Sequence, residues 1–251
     1  MKKTILFLLL AVSFILAAEE QIYYPEFEDS VSFYASFDRQ TPNADMSRGE
    51  EKPANIIGKL NFTDGIRGKA MLCGKDGARV RYLRQDNITF NRPGTLVFFY
   101  KGINWHTPLK QGLFLTGIES SKGFFGLQIP AWTPTTCPCK MPLHVMFLYG
   151  KKIPRKTISA PISDGKGCDK WHMLAFSWSP GQLRVNADNR PGKTFNIAFD
   201  MTDADFPLNV FSIGSHIHWQ YLLDEFTVYN RRLSDSEILQ IYNKYMKATN
   251  K

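Results

Sequence analysis

The sequence predicts an all-β protein, an antiparallel sandwich closed by a short C-terminal α-helix. Three observations lead there. Apolar and polar residues alternate with a period of two in at least eleven short segments. Turn-forming residues separate these segments at hairpin spacing. Helical periodicity behind a capping signal is read clearly only at the C-terminus. With 251 residues, 43% hydrophobic and 22% charged, the chain can build one substantial core and carries too little charge for a disordered polypeptide.

The chain opens on MKKTILFLLLAVSFILAA, in which Lys2 and Lys3 precede an apolar run of about 13 residues and then small residues. This is the layout of a secretory signal, expected to be cleaved near Ala17 or Ala18. Residues 1–18 are therefore assigned to a leader and 19–251 to a single domain that is secreted or periplasmic. No later stretch is apolar for long enough to span a bilayer, and the absence of a Cys after the leader argues against a lipid anchor.

The first strand is VSFYASF, 31–37, with Val31, Phe33, Ala35 and Phe37 on one face and Ser32, Tyr34 and Ser36 on the other, the pattern of a half-buried strand. A polar, Pro-containing stretch between Asp38 and Ala54 is expected to be an exposed loop. Strands follow at ARVRYL (78–83), GTLVFFYK (94–101), GLFLTGI (112–118), FFGLQI (124–129) and LHVMFLYG (143–150). The second half continues with WHMLAFSWS (171–179), LRVNAD (183–188), TFNIAF (194–199), VFSIG (210–214) and LLDEFTVYN (222–230). Ser179-Pro180-Gly181-Gln182 is short enough to make a hairpin. Ser234-Asp235-Ser236-Glu237 is a capping box, and Ile238, Ile241, Tyr242, Tyr245 and Met246 behind it form the stripe by which the last helix should pack.

The formal charge is +8, and loss of Lys2 and Lys3 with the leader brings it near +6. The basic residues are dispersed, so nucleic acid is not an expected partner. Four cysteines in an exported chain favour disulfides over free thiols, making Cys73, Cys137, Cys139 and Cys168 the candidates. Cys137 and Cys139 flank Pro138, and a bridge between such close neighbours would be strained, so at least one should reach a distant partner, with Cys168 preferred. The spacing lacks the paired C-x-x-C of structural zinc sites.

The closing stretch LLDEFTVYNRRLSDSEILQIYN, 222–243, resembles the last strand and acid-capped helix of the laminin-G-like, concanavalin A-like lectin/glucanase jelly rolls found in exported bacterial proteins. VSFYASFD at 31–38, GIRGKAMLCGKDGARV at 65–80, WHMLAFSWSPGQLRVNADNRPGK at 171–193 and VFSIGS at 210–215 are similar to further regions of that family, in the same order. Ala187-Asp188-Asn189 departs from the usual Val-Asp-Gly of its hairpin. The resemblance implies a jelly-roll sandwich. It leaves function open among sugar-binding modules, protein-interaction domains and hydrolases. It also implies Asp38 and Asp224 as positions where such folds place ligands to a structural calcium ion, the alternative being hydrogen bonds to loop backbone.

Glycosidases need two facing carboxylates, which glucanases of this fold place at alternating positions on one strand. That pattern is absent. Asp224 and Glu225 are adjacent, so an unbroken strand would turn them to opposite faces. Asp203 and Asp205 sit in a turn-like segment. His216 and His218 share a parity that could ligate a metal, but rim positions are the expected reading, and His172 is expected to be structural. Trp171 and Trp178 read as core. Trp105, Trp132 and Trp219 lie in loop-like contexts, where an indole is costly unless packed or used. With His106, Lys110 and Gln220 beside them they are the candidate ligand-binding residues, since apolar sugar faces stack on rings while hydroxyls need directional partners. The function expected is a non-catalytic binding module for carbohydrate or extracellular glycan. A structural or protein-interaction domain of a cell-envelope or secreted assembly comes second, and a hydrolase or lyase third. Asn61 and Asn87 begin glycosylation sequons, relevant only in a eukaryotic secretory route.

Overall fold

The computed structural model describes residues 24–103, 113–119, 123–129, 142–149, 156–161, 169–197, 202–203, 209–216 and 219–249. In chain order the strands are β1 (Val31–Ala35), β2 (Met46–Ser47), β3 (Pro53–Gly58), β4 (Phe62–Asp64), β5 (Lys69–Cys73), β6 (Ala78–Leu83), β7 (Gly94–Gly102) and β8 (Leu113–Glu119). They continue with β9 (Gly123–Ile129), β10 (Pro142–Tyr149), β11 (Lys156–Pro161), β12 (Trp171–Ser179), β13 (Gln182–Ala187), β14 (Lys193–Asn196), β15 (Val210–Gly214) and β16 (Tyr221–Tyr229), before helix α1 (Asp235–Thr249). One sheet has nine strands, in the order β14-β13-β12-β7-β16-β1-β2, with β5 also on β16 and β4 on β5. The other has seven, in the order β11-β10-β9-β8-β15-β6-β3. Every pairing is antiparallel, as the hairpin spacing predicts.

The core between the sheets is aromatic. Phe33 is wholly buried and meets Tyr82 at 4.8 Å, Phe211 at 5.0 Å and Phe226 at 6.2 Å, edge to face, the geometry that sets a ring's positive edge against a negative face. Trp178 is buried as expected and donates its indole N–H to the carbonyls of Thr89 (3.1 Å) and Arg92 (3.0 Å). Trp171 is instead half-buried, on the opposite face of the sheet. The Pro180-Gly181 hairpin joins β12 to β13, with Gly181 at φ +65°, a conformation costly for any residue with a Cβ.

The helix forms where the capping box places it. The Ser234 hydroxyl accepts the Glu237 N–H at 3.3 Å, and the Glu237 carboxylate accepts the Ser234 N–H at 2.8 Å. Arg231, bonded to the same carboxylate at 2.7 Å, holds Glu237 down at about 2. Ile238, Ile241 and Tyr245 are buried against the outer face of the nine-stranded sheet, over Tyr34, Val97, Phe99 and Met173. At roughly 1.5–3 kcal/mol for each large apolar side chain removed from water, this stripe is enough to seat the helix.

That seat corrects one expectation. β1 is buried on both faces rather than half-buried: Ser32 and Tyr34 are buried like Phe33 and Ala35, because α1 packs over Tyr34 and the Ser32 hydroxyl is taken up by the Asn87 carbonyl at 2.7 Å. The 38–54 stretch is mostly loop, as expected, but contributes the short β2 and the start of β3. Among the described residues no helix is long and apolar enough to cross a membrane. The leader lies outside the described residues.

Candidate functional site

Two places gather chemistry-bearing side chains. The first is a charged cluster beneath α1. On β16 the pairing with β7 slips between Asp224 and Thr227, and Glu225 takes φ +55°. This is a β-bulge, and it re-aims a side chain. Both acids consequently lie on the helix side of the sheet, not on opposite faces as an unbroken strand requires: Asp224 meets Ile66 there, and Glu225 meets Tyr34 and Tyr245. Glu225 Oε2 accepts the Tyr34 hydroxyl at 2.7 Å and the Tyr245 hydroxyl at 2.6 Å, and Arg67 reaches both carboxylate oxygens at 2.9 and 3.0 Å. The guanidinium carbon of Arg67 also lies 4.9 Å from the Tyr245 ring centre, so cation, ring and carboxylate form one stack.

Asp224 holds the neighbouring loop. Its Oδ2 accepts the Ile66 N–H at 2.8 Å and its Oδ1 accepts the Glu225 N–H at 2.8 Å, while Asp38 Oδ1 accepts the Lys69 N–H at 2.8 Å. Gly65 and Gly68 permit this approach, since a Cβ on Gly65 would collide with Asp224 and one on Gly68 with Asp38. The two aspartates anticipated as calcium ligands thus spend oxygen atoms on loop backbone. A hard cation needs several oxygens converging on one point, and among the described residues no three His, Cys, Asp or Glu side chains converge in that way. Burial and the neighbouring Glu225 push the Asp224 carboxyl well up. Burial pushes Glu225 up to about 7, against the opposing pull of Arg67 and the two tyrosines.

The second place is the end of the sandwich where β7 leaves its sheet and β16 enters it. Ile103 donates its N–H to the Gln220 carbonyl at 3.0 Å, next to the Gly102–Tyr221 pair. Trp219 is half-buried against the main core, and Gln220 is half-buried beside it. Trp105 and His106 follow Ile103 by two and three residues in the chain. With Lys110 and Trp132 they lie outside the described residues. Nearby on the inner face, His172 Nδ1 is 3.0 Å from Asp188 Oδ2, whose other oxygen accepts the Met173 N–H at 2.9 Å, and the His172 ring lies 5.5 Å from that of Tyr100. These contacts hold the His172 ring in one orientation.

The cysteine expectation needs correcting at one position. Cys73 is a free thiol, wholly buried on β5, pushed up to about 12 by its burial; a thiol so placed is inert. Cys137, Cys139 and Cys168 lie outside the described residues. Asp203 binds Arg84 together with the Thr89 hydroxyl (2.6 Å) and the Phe90 N–H (2.8 Å), and Asp205 lies outside the described residues. His216 is half-buried, with its pKa lowered by burial and by Arg79 and Arg81; His218 lies outside the described residues. The Asn87 sequon is closed, because its side-chain amide is buried and donates to the carbonyls of Glu50 and Leu83, both at 3.1 Å.

Sequence reasoning overlooked Tyr34, Arg67 and Tyr245. A signal existed for two of them: Tyr245 stands in the apolar stripe of the last helix, where a buried hydroxyl needs a partner, and an Arg set between glycines in GIRG lies on a loop built for close approach, whereas Tyr34 stands between Ser32 and Ser36 on the face that alternation assigns to solvent.

No family model and no curated protein sequence matches this chain. Among solved structures it is similar to receptor-binding domains of botulinum neurotoxins. For a mosaic serotype C/D domain the TM-score is 0.67 at 13% identity, covering 86% of this chain and 51% of that one. A serotype DC domain in complex with rat synaptotagmin II gives 0.66 at 12%, covering 86% and 52%. A DC domain in complex with SialylT gives 0.64 at 12%, covering 86% and 51%. The chain spans about half the length of these solved chains, and at such identity the likeness extends to the fold: an antiparallel β-sandwich with a C-terminal helix.

Proposed function

We propose that this chain is an exported, non-catalytic binding module for carbohydrate, a jelly roll of the laminin-G or concanavalin A type. Its first 18 residues act as a secretory leader. The carrying observation is the half-buried Trp219 beside Gln220, at the sandwich end where Ile103 hands the chain on to Trp105 and His106. A half-buried tryptophan two residues before β16, with an amide beside it, supports this reading because an indole supplies a stacking surface and an amide directional hydrogen bonds. The strongest acidic pair, Asp224 and Glu225, is sealed beneath α1 and bonded to loop backbone, tyrosines and Arg67, which leaves it unable to reach a bound sugar and supports binding over hydrolysis. A domain solved with SialylT among the structural neighbours supports the ligand class. A protein receptor is the second reading, favoured by the neighbour solved with synaptotagmin II.

A glycan array with sialylated and neutral members tests this on the wild-type protein and on Trp219→Ala, with thermal melting to establish that the variant folds. The expected result is selective binding that falls at least tenfold in the variant. A folded wild type that binds no glycan, or a Trp219→Ala protein with unchanged binding, overturns it.

A further inference from the structure

Two segments cross from one sheet to the other at the end of the sandwich that carries Trp219, and they lie against each other. The first, Gly74-Lys-Asp-Gly77, leaves β5 in the nine-stranded sheet and enters β6 in the seven-stranded one. The second leaves β15 in the seven-stranded sheet and enters β16 in the nine-stranded one, and it carries Ser215, Trp219 and Gln220. The flanking strands are paired, Cys73 with Tyr221 and Arg79 with Gly214.

Gly74 is the point of contact. Its N–H donates to the Ser215 carbonyl at 2.6 Å, which holds the start of the second crossing. It also bears on the finish: a Cβ at residue 74 would stand 2.0 Å from the Trp219 carbonyl oxygen and 2.9 Å from the Gln220 Cα. Ile103 holds the same end by donating its N–H to the Gln220 carbonyl at 3.0 Å. Real Cβ atoms essentially never come within 3.0 Å of a neighbour, and these neighbours are backbone, which no change of rotamer moves aside. The φ of +84° is a lesser demand, since Asp76 in the same turn takes φ +64° with its side chain in place.

We infer that Gly74 is a positioning residue for the glycan site, a role that rests on the binding function proposed above. Its bare Cα sets the depth at which Trp219 and Gln220 sit, and a side chain there displaces their backbone by about 1 Å. Recognition groups must be held within about 0.5 Å of their working geometry, so a shift of that size weakens binding even where residue 74 does not meet the sugar. Gly181 supplies the control. It has φ +65°, and a Cβ there would meet nothing nearer than the Ile197 carbonyl at 3.9 Å, so Gly181→Ala strains the backbone without a collision.

The glycan array, read together with melting midpoints, tests this. Gly74→Ala and Gly181→Ala should both melt lower than the wild type, but only Gly74→Ala should lose affinity, by about tenfold. Introduced into Trp219→Ala, Gly74→Ala should cost no further affinity, a coupling that general loosening of the fold does not produce. A measurement on the wild type needs no variant to fold: in amide NMR spectra the Gly74 signal should shift as the array member bound most tightly is added, while the Gly181 signal stays in place. A wild type that binds no glycan overturns the binding function and this inference together. Binding by the wild type with a folded Gly74→Ala of unchanged affinity, or a Gly74 amide that does not respond, overturns this inference alone.

Discussion

The two faces of the nine-stranded sheet are buried by different means. On the inner face Phe33, Phe226 and Phe98 pack among rings from the opposite sheet, and the contact is dispersion and water exclusion. On the outer face, one residue away along the same strands, Tyr34 and Glu225 meet Arg67 and Tyr245 in a network where almost every polar atom has a defined partner. The difference teaches what each face specifies. A ring core tolerates small rearrangements of shape, whereas a buried carboxylate accepts only one arrangement of donors, so the outer face fixes where α1 docks.

The comparison is broken most sharply at Phe33. Phe33→Ala leaves a cavity among three rings and should cost about 3–5 kcal/mol in urea unfolding with little change in slope. On the outer face Glu225→Ala strands the Arg67 guanidinium, 14% exposed against 1% for the acid, and should cost about 3 kcal/mol. Its signature is faster hydrogen exchange confined to α1 and the 65–69 loop, where Phe33→Ala should loosen both sheets.

The same acid gives the outer face a pH dependence that the inner one lacks. Burial raises Glu225 to about 7 from an ordinary 4.5, and Asp224 is raised in the same sense. The folded protein therefore holds a proton that the unfolded chain releases, so stability falls as pH rises from about 4.5 to about 7. Melting midpoints across that window should decline in the wild type and in Phe33→Ala alike, and flatten in Glu225→Gln. A midpoint that climbs through the window would show that Arg67 and the tyrosines dominate burial. The smallest effect belongs to the exposed cap: Ser234→Ala should cost about 1 kcal/mol, read as fraying of the first turn of α1.

Legibility followed locality. The alternation that marks β7 and β12, the Pro180-Gly181 hairpin and the Ser234 capping box are each written within a few consecutive residues, and each stands in the structure where the sequence puts it. Tyr34 and Glu225 are 191 residues apart and Arg67 lies 158 from Glu225, so nothing local announces that they meet. Asp224-Glu225 shows how such a reading fails. The parity rule is sound for a regular strand, and the bulge at Glu225 suspends it. Cys73 fails for a related reason, since counting cysteines says nothing about which of them the fold seals inside.

By itself the sequence determined the class of the protein, because strand alternation, turn residues and helix caps act over the short range in which a chain can be read. Only the tertiary structure decided which faces are covered, where the strand register slips and which acids are withdrawn from solvent. Those outcomes depend on contacts between distant segments, whose energies exist only once the layers have closed on one another.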